Sequence, residues 1–413
     1  MNGSVKMSSR RKKTKAAGPK QKVFIIKNAF LEEEATKRAL ADFILTAPKL
    51  SMGQQCESFE RAFAAKQERK EAVLFNSGAS ANLAMLQALK NLGRLEPGAA
   101  VGFSALTWST NIMPIIQMGF KPIAVDCDVN TLNVMSHNLE ERLAHVHLDA
   151  FFATNVIGFT GDLHKIKKIC DERNIIFIED NCESLGTELP EGKAGNFGLA
   201  SSVSFYVAHH MSTIEGGMVC TDDEEFSEML RVVRANGWDR NLHSHQQEKW
   251  RKKHSVGSDF YAKFAFYDLG YNLRPTEITG FLGLSQLQFL DENIKTRQRT
   301  YLRAEEVMKK NDELIVPERG HLSVHSSFVI PVLCKTPTLR KKYIAKFNAA
   351  GVEIRPMIAG NMQKQPFHKK YVKETFHLPN TDFFHHNSFY CGNCPDYTEE
   401  EVATILACLE PER

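Results

Sequence analysis

His209 stands in the run Ser204-Phe-Tyr-Val-Ala-His209-His210-Met-Ser-Thr-Ile-Glu215-Gly-Gly217, between two short β-rich stretches. An imidazole in such a place can take up and return protons near neutral pH. Upstream, Glu179-Asp180-Asn-Cys-Glu183 closes a strongly apolar run, 175–178. A carboxylate there enters the ligand crevice of a parallel sheet, where Asp180 could pair with a protonated ring nitrogen and Glu183 could act as a second acid. Earlier still, Phe75-Asn-Ser-Gly78-Ala79-Ser-Ala-Asn82 reads as strand, small-residue turn and helix start. The unpaired N–H groups and positive dipole end of such a helix suit a phosphate, and Gly78 lets the backbone approach closely. Trp108 follows the next strand and could stack on a planar ring. Each residue alone also has a plain structural reading: a tight turn at Gly78, packing at Trp108, a helix N-cap at Asp180, solvent exposure at Glu183, a structural imidazole at His209. It is the chain order of phosphate turn, aromatic, strand-end aspartate and strand-end base that assembles them into one site.

Alternating β and helical patterns must position that site. Strands are predicted at 72–76, 100–104, 122–126, 150–156, 175–179, 201–206 and 218–221, with helical periodicity between several of them, notably at 80–92 and 162–173. This is the βαβ signature of a mostly parallel, buried sheet, hence an α/β fold. Segments 30–46 and 56–66 read as amphipathic helices before the first strand, and 224–236 as a helix with an acidic first turn. Residues 240–263 read as a polar, irregular excursion, and 276–308 as one long helical pattern. From about 314 the pattern shortens, with segments at 324–331, 339–350, 352–355 and 398–409 predicting a small α+β domain. The expected division is a disordered basic tail over 1–22, a large domain over 23–290 and a small domain over 291–413.

Composition narrows the class. Residues 1–31 hold nine Lys/Arg and no acid, leaving 43 basic against 49 acidic residues in the remainder. A mildly acidic body argues against nucleic-acid binding. The run Arg10-Arg-Lys-Lys13 reads as a solvated tail or a targeting signal. No apolar run is long enough to span a bilayer, which excludes a membrane partner of that kind. Nine scattered cysteines fit a reduced, cytoplasmic protein, and the lone Cys391-Gly-Asn-Cys394 lacks the second pair that a metal site needs, so no metal is expected.

The order and wording of these motifs resemble the DegT/DnrJ/StrS-type sugar aminotransferases, a family of fold-type I enzymes that use pyridoxal phosphate. The matching wording is Ser77-Gly78 with Ala81-Asn-Leu83; Trp108-Ser-Thr110; Glu179 to Ser184; Ser204-Phe-Tyr206 with His209-His210 and Glu215-Gly-Gly217; Gly237-Trp238 with Arg240-Asn-Leu242; Gly270-Tyr-Asn with Arg274-Pro275; and Arg355-Pro356 with Gly360-Asn361. Within the family the chain is similar to the branch of 3-dehydratases acting on nucleotide-linked 4-keto-6-deoxy sugars. That branch carries histidine where aminotransferases carry the lysine that binds the cofactor covalently. The resemblance implies pyridoxal or pyridoxamine 5′-phosphate held non-covalently. It implies phosphate contacts from the Gly78 and Ala79 N–H groups and from Ser204, stacking by Trp108, and pairing of Asp180 with the ring nitrogen, with Glu183 nearby. It makes His209 the base and brings Asn272 to the phosphate from a partner subunit in a homodimer. Arg355 is the candidate for a substrate anion, with Asn361 beside it. Glutamate is the implied amino donor.

Two departures stand out. One related dehydratase branch binds an iron–sulfur cluster through cysteines after the catalytic histidines; this chain has none between Cys220 and Cys334, so no cluster is expected. Ala79 stands where close relatives usually have serine. Two other readings stay open at this level: an aminotransferase using a distant lysine, although none lies between Lys193 and Lys249, and a non-catalytic protein that lost its lysine.

Overall fold

The computed structural model describes residues 22–257 and 259–411; the expected tail at 1–22 falls, apart from Lys22, outside the described residues. Seven strands form one sheet: β1 (Glu71–Phe75), β2 (Ala100–Ser104), β3 (Lys121–Val125), β4 (Ala150–Thr154), β5 (Ile176–Asp180), β6 (Ala200–Ser204) and β7 (Gly217–Thr221). They lie in the order β1-β7-β6-β5-β4-β2-β3. All seven were predicted to within two residues at either end. β1 to β6 point the same way, and β7 runs antiparallel to both neighbours, β1 and β6. The loop 205–216 turns straight back from β6 into β7 instead of crossing a face with a helix, and a direct return of this kind can only make an antiparallel pair.

The apolar side chains alternate along each strand and meet helices on both faces, as a buried parallel sheet requires. One face (Phe75, Phe103, Phe152, Ile178, Val219) packs on α3 (Gly78–Asn91) and α5 (Glu224–Arg234). The other face is shared. Phe151, Ala153 and Phe177 meet α4 (Leu163–Glu172), while Leu74, Val203 and Met218 meet Phe59 and Phe63 of α2 (Gln54–Gln67).

Structure and expectation part in three places. The long pattern 276–308 is two helices, α7 (Glu277–Leu287) and α8 (Leu290–Met308), broken at Gln288–Phe289, where the Phe289 N–H turns to the Gln286 carbonyl. The side-chain periodicity survives the break because each half buries a face of its own. The excursion 240–263 contains an ordered helix, α6 (Ser244–Lys253), whose Trp250 donates to Glu228 at 2.7 Å. Its composition is polar because one buried aromatic anchors it. Finally, the C-terminal strands shift by a few residues. β8 (Leu314–Ile315), β9 (Val329–Cys334), β10 (Ile354–Pro356) and β11 (Ser388–Gly392) form an antiparallel sheet, β8-β9-β11-β10, backed by α9 (Pro337–Ala350) and α10 (Glu399–Leu409). This smaller C-terminal sheet domain shares its core with Tyr301, Ala304 and Met308 of α8. The start of the described chain also packs on it: Val23 bridges to Val352, and Lys27 pairs with Glu401 at 2.7 Å. α1 (Glu33–Thr46) then leads toward the large domain, stacking Phe43 on Phe281 of α7.

α2 and α7 touch so closely that a Cβ on Gly280 would lie 2.4 Å from the Cys56 nitrogen. This approach lets the buried Glu277 carboxylate cap α2, accepting from the N–H groups of Gly53 (2.7 Å), Gln55 (3.0 Å) and Cys56 (3.1 Å). Three donors that α2 cannot satisfy internally are thereby satisfied. Glu277→Ala should lower the free energy of unfolding by about 2–3 kcal/mol, read as a shifted urea midpoint at unchanged slope. A midpoint equal to the parent's would mean that water replaces the cap without loss.

Candidate active site

Because β1 to β6 share one direction, their C-terminal ends share one edge, and the predicted site residues collect there. Asp180 ends β5. Strand alternation puts it on the α3 face with Ile178 and sends Glu179 to the opposite face. The buried Asp180 carboxylate accepts from Asn82 Nδ2 and Asn111 Nδ2, both at 2.8 Å, and from the Cys182 N–H at 2.9 Å. The helix N-cap alternative falls away, because the residues after Asp180 form turns and no helix. Glu179 is instead an internal tie, accepting from the N–H groups of Gly195, Phe197 and Gly198 at 2.8–2.9 Å.

The phosphate turn faces β6. Ser77 caps α3, its hydroxyl accepting from Ser80 N–H at 3.1 Å. The N–H groups of Gly78 and Ala79, in the first turn, have no acceptor within the helix. A Cβ at Gly78 would lie 2.6 Å from Ser204 Cβ and 3.0 Å from Ser204 Oγ. The missing side chain of Gly78 is therefore what brings the Ser204 hydroxyl onto the helix start. Together they make a cradle of N–H and O–H donors in which a phosphate fits. Trp108 opens the turn Ser109–Asn111 and is 54% exposed, a large surface for a flat ring to cover.

Glu183 sits one turn beyond Asp180, with Oε2 accepting from the Ile157 N–H at 3.0 Å. Loss of water pushes its pKa up to about 8, and the nearby charge of Asp180 adds to the rise. At neutral pH Glu183 is mostly a neutral acid beside an aspartate.

His209 and His210 diverge. His210 is buried, with Nε2 3.0 Å from the Ser326 carbonyl. It ties the 205–216 loop to the segment that enters β9. His209 is partly exposed between Tyr206 and Phe328, with ring centroids at 5.9 and 5.1 Å. Desolvation pushes its pKa down to about 4; Arg297 acts in the same direction, against a Ser204 backbone hydrogen bond and Asp180. His209 is thus a neutral imidazole at physiological pH, with Asp180 within electrostatic reach.

Arg355 lies exposed on β10, opposite Tyr390 of β11 and hydrogen-bonded to Glu353. Asn361 is buried, and both carboxamide atoms are committed: the oxygen accepts from Gln363 N–H at 2.9 Å and the nitrogen donates to Asp382 at 2.7 Å. Its backbone bridges to Leu106, so it ties the C-terminal domain to the loop that carries Trp108. Asn272 is exposed, its oxygen accepting from Arg274 Nε at 3.0 Å, on a run fastened beside the end of β1 by the Asn76 N–H to Leu273 carbonyl bond. Asn82 and Asn111, which aim Asp180, carried no role in the sequence reading. Asn82 lies inside the phosphate-turn motif and Asn111 three residues after Trp108, but a carboxamide gives no hint of its partner before the fold brings one. Among the described residues, no three His, Cys, Asp or Glu side chains converge as a metal ion would need.

The chain matches the model of the DegT/DnrJ/EryC1/StrS aminotransferase family over residues 31–410. It is 34% identical over 356 residues to the GDP-4-keto-6-deoxy-D-mannose 3-dehydratase of Escherichia coli O55:H7, covering 85% of this chain and 90% of the relative. The solved structure of the E. coli enzyme with bound hydrated PLP superposes with a TM-score of 0.86 at 31% identity, covering 95% of this chain and all of that one. A second structure of a GDP-4-keto-6-deoxymannose-3-dehydratase, holding a trapped PLP-glutamate geminal diamine, superposes equally well over 94% of this chain. With the fold-type I sheet, the strand-end aspartate and the histidine loop all in place, the chain belongs to the DegT/DnrJ/EryC1/StrS aminotransferase family.

Proposed function

We propose that this chain is a pyridoxamine-phosphate-dependent 3-dehydratase of a nucleotide-linked 4-keto-6-deoxy sugar, with glutamate as amino donor. The observation that carries it is His209: a neutral, partly exposed imidazole in the loop after β6, where the family's aminotransferases place a lysine. No lysine lies between Lys193 and Lys249 to replace it. The likeness to the GDP-sugar dehydratase, and to its glutamate-bound form, supports the choice of substrates.

In this reading Gly78, Ala79 and Ser204 hold the cofactor phosphate, Trp108 covers one face of its ring, and Asp180 pairs with the ring nitrogen. When bound, the protonated ring supplies an electron sink that stabilises negative charge developed at the carbon bearing the amine. Asp180 keeps the nitrogen protonated, and the two asparagines hold its carboxylate in line. His209, uncharged and held close, takes the proton and then stands ready to give one to the departing C3 hydroxyl. Glu183, protonated at neutral pH, offers an O–H to the same pocket. Arg355, exposed on β10, suits the diphosphate of the sugar nucleotide, and Asn361 supports the loop that carries Trp108. The net change is loss of one oxygen from the sugar, matched by conversion of glutamate to 2-oxoglutarate and ammonia.

A homodimer with shared sites completes the reading, Asn272 reaching the phosphate of the partner's site. Support comes from its exposure and from the apolar side chains that precede it, Phe260, Phe264, Phe266 and Leu269, each at least 60% exposed.

Purified protein with pyridoxamine phosphate, glutamate and a GDP-linked 4-keto-6-deoxy sugar should give a product one oxygen lighter, with release of ammonia, by mass spectrometry. A product carrying a new amino group would make the chain an aminotransferase instead. His209→Asn should abolish that product while the cofactor's absorbance stays with the protein on gel filtration; retained turnover would show that another group is the base. A third expectation concerns pH. Between about 4.5 and about 8 the folded protein holds a proton on Glu183 that the unfolded chain releases, so this group's contribution to stability falls as pH rises through that window. Glu183→Gln removes the effect, so its stability relative to the parent should climb with pH across the window in urea titrations. Parallel curves for the two proteins would contradict the raised pKa.

A further inference from the structure

Arg297, on α8, is fully enclosed, yet none of its hydrogen-bond partners is an acid. Nη1 donates to the carbonyls of Phe328 (2.9 Å) and Asn393 (2.7 Å), Nε donates to Asn293 Oδ1 (2.7 Å), and Nη2 reaches the His209 carbonyl at 3.5 Å. Among the described residues no carboxylate lies within ion-pair distance of it. One turn earlier on the same helix, Asn293 donates to the His210 carbonyl. Asn393 returns a bond from Nδ2 to the Arg297 carbonyl at 2.9 Å. A buried guanidinium satisfied only by neutral oxygens is expensive to keep, and a methionine of similar length would fill the space at lower cost. Stability alone therefore does not account for it.

What the arrangement does accomplish is specific. The two carbonyls of the histidine pair are held by two side chains of one rigid helix, and the arginine also grips both ends of the C-terminal segments behind the loop. We propose that Arg297, seconded by Asn293, is the positioning residue for His209: it pins the loop that carries the imidazole and sets a buried positive charge close to the ring. This rests on the reading of His209 as the base. The other groups that act on or pack against the ring are Asp180 at the end of β5, Tyr206 and His210 on the loop itself, and Phe328 before β9. Of these, Asp180 favours the charged imidazolium. A fixed cation offsets that pull and keeps the imidazole free to accept a proton. The acidic groups that act on the guanidinium itself are Cys394, Tyr397 and Asp396 in the segment after β11, none of them hydrogen-bonded to it.

The test titrates His209 directly, in protein with selectively ring-labelled histidine, by NMR, the resonance being assigned by its loss in His209→Asn. Arg297→Met should move the His209 titration upward by roughly half a unit to one unit, the size expected of one neighbouring charge in a partly wet pocket. The acid limb of kcat should move with it. Arg297→Lys keeps the charge and loses the fork, so the titration should stay near the parent value while kcat falls and KM changes little. Should Arg297→Met not fold, Asn293→Asp neutralises the guanidinium in place and should raise the titration in the same direction. An unchanged His209 titration in the charge-neutralising variants, or equal shifts in the methionine and lysine variants, would overturn the proposal. The titration needs no turnover, so it is separate from the base assignment: retained activity in His209→Asn would remove the base and leave the measured field of Arg297 standing.

Discussion

The Asp180 carboxylate is the point around which this structure is arranged. An acid at the buried end of a central strand must be compensated, since an unpaired charge there would lose its proton affinity match or unfold the strand end. Three donors from three places compensate it: Asn82 on α3, Asn111 in the turn after Trp108, and the Cys182 N–H in its own turn. By binding all three, one side chain sets the relative position of the start of α3, the turn that carries Trp108 and the end of β5. Loss of water sets the protonation of Glu183 and of His209, and the same carboxylate raises the proton affinity of both. Alternation along β5 gives Glu179, its neighbour, a purely internal task, and two adjacent acids thereby serve different ends.

The histidine pair divides its labour in a comparable way. His210 is spent on structure, holding the loop to Ser326 through Nε2, and His209 stays partly exposed. Burial makes both neutral, but only His209 borders the cleft. The histidine loop is supported from α8 and from the residues flanking β9 and β11, which means that the small domain helps to hold a loop of the large one. Asn361 does the same from another direction by bridging to Leu106. Beside the apolar core that the two domains share, oriented hydrogen bonds tie the small domain to the histidine loop and to the segment that carries Trp108.

Much of this was legible in the linear chain, for reasons that particular residues make plain. The strands of the main sheet are buried on both faces and so read as short apolar runs, and their periodicity cannot be mistaken for that of α3 or α4. Gly78, Trp108, Asp180 and His209 follow strand ends in order, and parallel topology carries every one of those ends to a single edge. Family wording then marked the histidine as a replacement and not an accident. Elsewhere periodicity misled: α7 and α8 read as one helix because each buries a face with the same spacing, and α6 read as irregular because only Trp250 among its side chains is a large buried aromatic.

Residue types and their order were enough to specify the α/β sheet, the edge on which chemistry happens and the roles open to its polar residues, because those depend on local periodicity and on which side chains can move protons or bind anions. Which donors would aim Asp180, that Asn361 would be consumed as a tie, that Glu183 would keep its proton and His209 lose its own, and that a buried arginine would stand behind the histidine loop were decided only by the folded chain. These properties come from contacts between residues up to a hundred or more positions apart and from the removal of water around them. Neither quantity has a signature in the spacing of amino acids along a chain.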